Sequence, residues 1–118
     1  MKTILICNQK GGVGKTLIAD ELVFVLERDL IPYSLYDLDN QGYAIHKTTN
    51  NPNAEVQVVN TPGALQENLL QWIKEAEFII IPTMMSNRDT APLERMIKIL
   101  EPYKDKKSVL YVLNIGIK

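Results

Sequence analysis

Cysteine, histidine and tryptophan occur once each in this chain of 118 residues, and no charge of one sign is in excess: 13 Lys and Arg stand against 14 Asp and Glu. A lone cysteine excludes an internal disulfide, and the place of Cys7 in an apolar run suits a reduced thiol packed as a small hydrophobe. That points to a reducing, cytoplasmic setting. The charge balance excludes a chain whose main ligand is nucleic acid; non-specific DNA contact would need a local basic patch. The densest patch, Lys104-Asp105-Lys106-Lys107, reads as a solvated turn. Long hydrophobic runs are missing too. The run after Lys2 is too short for a secretory signal, and Phe78 to Met85, broken by Pro82, is far shorter than the ~20 residues of a spanning helix. The expectation is a soluble protein with no membrane partner.

What is present is an ordinary globular composition, 46% apolar and 23% charged, which leaves neither disorder nor a fibrous fold to consider. The length gives one domain, 1–118, large enough to bury a core on both faces of a small sheet. Short apolar runs rich in strand formers cover Thr3 to Asn8, Ser34 to Asp39, Val56 to Asn60, Phe78 to Pro82 and Ser108 to Asn114. Between them, apolar residues recur at helical spacing over Leu17 to Asp29, Leu65 to Ala76 and Leu93 to Leu100, with Pro92 in a first turn and Pro102 as a stop. This alternation predicts an α/β fold: a parallel sheet of about five strands flanked by helices in three layers, α/β/α. The polar stretch between Asp39 and Val56, with its Asn-Asn-Pro-Asn punctuation, reads as a loop holding at most one helical turn.

The first apolar run passes directly into NQKGGVGKTL, residues 8 to 17. Gly11, Gly12 and Gly14, with Val13 between them, let consecutive backbone N–H groups point at an anion, and the helix that follows adds its positive dipole end. Lys15 supplies a point charge to outer phosphates, and the Thr16 hydroxyl suits Mg²⁺. The spelling departs from the standard phosphate loop, because Gln9 stands where the first glycine belongs and Lys10 is an added lysine.

The stretch resembles the deviant Walker A motif, K-G-G-x-G-K-[ST], of the ParA/MinD family of P-loop ATPases. The resemblance implies a P-loop NTPase fold, ATP and Mg²⁺ as cofactors, and an ATP-dependent homodimer in which Lys10 reaches the nucleotide held by the partner. A loop lysine is otherwise a solvated residue. DLDNQG, Asp37 to Gly42, resembles the family's D-x-D-x-Q-G segment. By that match Asp39 orients the attacking water and Asp37 supports the metal site; two carboxylates at i and i+2 of a strand end do point to one side. Turn or capping aspartates are the plainer reading of the same pair. VVNTPG, Val58 to Gly63, stands where the family has a strand ending in aspartate. Asn60 takes that metal-site position, and Gly63 is placed to offer its N–H to the γ-phosphate. Leu17 replaces a threonine that touches the inner phosphates, and Asn114 matches a position that reads adenine. His46, Trp72 and Tyr36 read as an exposed loop residue and packing residues.

The resemblance spans nearly the whole chain, which is shorter than the family's usual length. The family's later DNA-binding and membrane-binding helices have no counterpart, and the ending at NIGIK is similar to a chain stopped in mid-domain. Two functions follow. The first is an ATP-dependent dimerising switch with weak ATPase activity that positions cargo in plasmid or chromosome partition or in a conjugation complex, with a small DNA-binding adaptor as partner. The second is a non-hydrolysing nucleotide-binding adaptor, because a neutral amide at Asn60 weakens a hard-cation site. A redox protein similar to the nitrogenase iron protein would require paired cysteines, and Cys7 stands alone.

Overall fold

The structure, a computed structural model of the chain, describes residues 1–7, 15–38, 48–61, 67–84 and 90–114. The strands are β1 (Lys2–Ile6), β2 (Tyr33–Asp37), β3 (Val56–Asn60), β4 (Phe78–Met84) and β5 (Ser108–Asn114). The helices are α1 (Lys15–Arg28), α2 (Glu67–Glu75) and α3 (Thr90–Leu100), the last running into a 3-10 turn at Glu101–Tyr103. All strand pairs are parallel, in the order β2-β3-β1-β4-β5.

Continuous apolar strands form here because both sheet faces are covered. In β3 Val58 packs beneath α1 with Ile6, Ala19, Val23, Leu26 and Leu35. Its neighbour Val59 packs on the opposite face with Leu5, Ile73 of α2, Ile79, Ile81 and Met96 of α3. Adjacent strand residues thus serve different layers, as a period of two requires. Each fully buried Ile or Met side chain contributes about 1.5–3 kcal/mol of transfer free energy.

Chain direction places the site. From β1 the chain crosses over β3 to reach β2, and from β3 it crosses over β1 to reach β4. Right-handed crossovers in opposite directions put their helices on opposite faces, which is where α1 and α2 lie. Parallel sheets bind ligands in the crevice outside the carboxyl ends of neighbouring strands whose connections leave in opposite directions, which here are β1 and β3.

Two helix ends and one sheet edge are closed by contacts that the sequence pattern does not announce. After α1, Leu30 takes φ 57°, the Leu30 N–H bonds to Glu27 O at 3.2 Å and the Ile31 N–H to Leu26 O at 2.9 Å. This is a Schellman ending made without glycine, with Ile31 and Leu26 in the same cluster. Lys107 Nζ donates to Lys74 O at 2.8 Å and Ala76 O at 2.6 Å, capping the end of α2. The basic patch is therefore not wholly a solvated turn: Lys107 serves the fold. Along β2, Thr49 pairs antiparallel with Leu35, and Ser34 Oγ binds the backbone of Asn51. The segment read as a loop between Asp39 and Val56 thus covers the sheet edge in its described part, while 39–47 lies outside the described residues. Among the described residues no helix is long and apolar enough to cross a membrane.

Candidate nucleotide site

β1 ends where Cys7 donates its N–H to Ile80 O of β4 at 3.1 Å, and α1 begins at Lys15. Lys15 and Thr16 are therefore the first residues of a helix that starts above the carboxyl edge of the central strand, at its positive dipole end. Lys10, Gly11, Gly12, Val13 and Gly14, the loop joining the two elements, lie outside the described residues. Leu17 points to solvent with 58% of its surface exposed, so the core does not hold it.

The ends of β2 and β3 bring Asp37 and Asn60 into register, and Asn60 Nδ2 donates to Asp37 Oδ1 at 3.1 Å. Both project toward the α1 face, as alternation from Leu35 and Val58 requires. Asn60 is only 1% exposed. Leu38 N donates to Asn60 O at 2.8 Å and Asp37 N to Thr48 Oγ1 at 3.0 Å, so the end of β2 is tied to β3 and to the edge segment. Asp39 and Gly63 lie outside the described residues. Asn114 is the last residue of β5, paired with Met84 at the same carboxyl edge. Two strand spacings, roughly 10 Å, separate it from β1.

Thr61 and Thr83 were not singled out by sequence. The Thr61 hydroxyl, buried, donates to Ile6 O at 2.9 Å and anchors the chain as it leaves β3. The signal was present, since threonine directly after an apolar strand is a common local hydrogen-bonding device. Thr83 Oγ1, near the end of β4, is buried without a hydrogen-bond partner among the described residues. Tyr36 and Trp72 pack against the α2/α3 core, and His46 lies outside the described residues.

Magnesium tests the donor chemistry. The ion prefers hard oxygen ligands and is commonly held by one or two carboxylates together with substrate phosphates. Asp37 supplies a carboxylate, whereas the Asn60 nitrogen that faces it is a donor and no ligand. Among the described residues no group of three or more His, Cys, Asp or Glu could hold a metal. The one carboxylate here, Asp37, would suit an ion that arrives on phosphate oxygens rather than one held by protein alone.

The profile of the CobQ/CobB/MinD/ParA nucleotide binding domain, CbiA, matches residues 4–117. The chain belongs to this family. It is a ParA/MinD-type nucleotide-binding domain, and its five-stranded parallel sheet with flanking helices is the P-loop NTPase fold of that family. No curated protein matches the sequence significantly. Solved structures agree on the fold. A plasmid partition protein from Borrelia burgdorferi superposes with TM-score 0.77 at 14% identity, covering 99% of this chain and 80% of the other. McdA from Cyanothece superposes with TM-score 0.75 at 16% identity, covering 100% of this chain and 75% of the other. Cobyrinic acid a,c-diamide synthase from Mycobacterium smegmatis, solved with ADP and magnesium, gives 0.71 at 14% identity over 94% of this ParA/MinD-type chain and 72% of its own.

Proposed function

We infer that the protein is an ATP-binding switch of the ParA type. ATP with Mg²⁺ brings two copies together, and slow hydrolysis resets the pair; the cargo it positions is a plasmid, a chromosome or a conjugation complex, through a small DNA-binding adaptor. The observation that supports this best is the placement of Lys15 and Thr16 at the start of α1, above the crevice, with Asp37 and Asn60 at the neighbouring strand ends. Membership of a nucleotide-binding family that includes ParA and MinD supports it independently. Lys15 neutralises outer phosphates, the Gly11 to Gly14 amides hold them, Thr16 and Asp37 hold the nucleotide's Mg²⁺, and Asn114 meets the base. Asp39 orients water for in-line attack and Lys10 reaches the partner's nucleotide; catalysis is then positioning and charge stabilisation.

A thermal shift tests the reading. Ligand at about 100 times its Kd stabilises by about 2.7 kcal/mol, which for a domain of this size raises Tm on the order of 10 °C. ATP with Mg²⁺ is expected to do this for the wild type and not for Lys15→Ala. Identical melting with and without ATP would overturn it.

The amide of Asn60 on Asp37 favours a second reading, a nucleotide-binding adaptor that does not hydrolyse. Asn60→Asp separates the two. Turnover rises sharply if the wild type is an adaptor and only modestly if it is already a slow ATPase.

A further inference from the structure

β2 and β5 are the two edges of the sheet, and they are finished differently. On the outer side of β2, Leu35 and Thr49 exchange backbone hydrogen bonds and Ser34 holds Asn51. Among the described residues β5 pairs with β4 alone. Ser108 N donates to Glu77 O at 3.1 Å, so Ser108 turns its backbone polar groups toward β4, and the alternation of a parallel ladder makes Leu110 and Val112 do the same. Val109, Tyr111 and Leu113 therefore turn N–H and C=O outward. Residues 109–113 include no charge, proline or glycine, the devices that usually guard such an edge. Val109 packs on the α2/α3 core, which puts Leu110 on the α1 side; the described cluster beneath α1 takes no residue from β5, and Leu110 is 58% exposed.

A second copy of β5 meets these groups one for one. Antiparallel to the first, across a two-fold axis at Tyr111 normal to the sheet, it pairs Tyr111 with Tyr111 and Val109 with Leu113, each pair exchanging both backbone bonds, while Leu110 stands opposite Val112. An axis at Leu110 would oppose Lys107 to Leu113, and one at Val112 would oppose Asn114 to Leu110. Only the axis at Tyr111 sets the apolar residues on one another. Charge selects the same arrangement. Lys104, Lys106 and Lys107 all precede β5, so the two-fold sends the two clusters to opposite ends of the joint, roughly 25 Å apart and well beyond the screening length of about 8 Å. A parallel pairing would set them side by side.

We propose that β5 is a self-association edge: two copies join antiparallel through residues 109–113, and their two sheets become one. The joint is separate from the crevice, since β4 stands between β5 and β1, and it needs no nucleotide.

An edge of this length is smaller than a standard interface of about 1,600 Å², so the dimer is weak, with a Kd on the order of 100 µM. Sedimentation equilibrium without nucleotide, over about 10 to 500 µM protein, is expected to show a monomer passing into a dimer. Leu110→Lys places a charge beside the edge and should weaken the dimer about tenfold or more. A second measurement fixes the register. Directly opposed residues of a hydrogen-bonded pair have Cα atoms about 5.5 Å apart, within reach of a disulfide, so Tyr111→Cys should oxidise to a covalent dimer and Lys106→Cys, at the far end, should not. A wild type that stays monomeric throughout would overturn the proposal and leave the edge to a strand of a different protein. Equal dimerisation of the wild type and Leu110→Lys would overturn it too, as would cross-linking of Lys106→Cys as fast as Tyr111→Cys. Should Leu110→Lys not fold, the cross-linking comparison decides.

Discussion

Thr61 meets Ile6 twice: its N–H and its hydroxyl both donate to the Ile6 carbonyl, at 3.1 and 2.9 Å. The first joins β3 to β1 as a ladder bond would. The second, buried, fixes the direction in which the chain departs from β3, one residue before the β1 backbone leaves toward the loop that precedes Lys15. The two segments that flank the crevice are thus tied to one carbonyl.

Thr61→Val keeps the shape and the backbone bond and removes only the hydroxyl. Loss of one net hydrogen bond should lower stability by about 1 kcal/mol. The urea midpoint, followed by the fluorescence of Trp72, should fall with an unchanged slope. A midpoint equal to the wild type would show that the hydroxyl contributes nothing.

Lys107 acts at a distance in sequence. Its ammonium, held over the Tyr103 ring at 5.9 Å, lies against the Lys74 and Ala76 carbonyls at the negative end of α2. Lys107→Met retains the stem and deletes the charge, and should cost about 1 kcal/mol through the lost cap and dipole interaction. Lys106→Met, one residue away on the exposed turn, should change stability by less than about 0.5 kcal/mol. Equal effects of the two substitutions would reduce Lys107 to a surface charge.

The alternation of apolar runs made the sheet and its helices legible, since buried parallel strands and one-sided helices each have a period that composition cannot hide. Asp37 and Asn60 were legible as strand-end residues, but their bond was not, because register between β2 and β3 depends on the long connection that joins them. Leu30 shows the other limit. Nothing in a leucine announces φ 57°; the Schellman contacts of Ile31 with Leu26 impose it.

Leu30 is therefore a place to gain stability. It is exposed and holds a left-handed backbone that costs an ordinary residue on the order of 1 kcal/mol. Asparagine tolerates that region better, so Leu30→Asn should raise the denaturation midpoint by the equivalent of about 0.5 kcal/mol. A lowered midpoint would mean that the leucine side chain outweighs the backbone term.

Tyr33 gives the fold an alkaline limit. Burial first, then its hydrogen bond to Glu27 at 2.7 Å, then the charge of that carboxylate, push its phenol up to about 12. The folded value lies above the ordinary value of about 10, so the stabilisation is fully present below pH ~10 and is lost as pH rises toward 12. Tyr33→Phe should show a shallower fall in stability across that interval. In the ultraviolet titration of the five tyrosines, a late ionisation step should disappear. Persistence of that step in Tyr33→Phe would assign it elsewhere.

Lys10 separates binding from assembly. Lys15 begins α1, and under the proposed switch it serves the phosphates of its own subunit, so Lys15→Ala should remove both the ATP-dependent melting shift and any ATP-dependent dimer. Lys10, if it serves the nucleotide of the partner, adds nothing to binding by a monomer. Lys10→Ala should then retain most of the melting shift measured at low protein concentration, while sedimentation velocity with ATP and Mg²⁺ shows a monomer where the wild type shows a dimer. The two readouts depend on different equilibria, one linear in ligand and one also in protein concentration. A Lys10→Ala protein that still dimerises with ATP would place this lysine outside the interface, and one that loses the melting shift as fully as Lys15→Ala would place it in its own subunit's phosphate cradle.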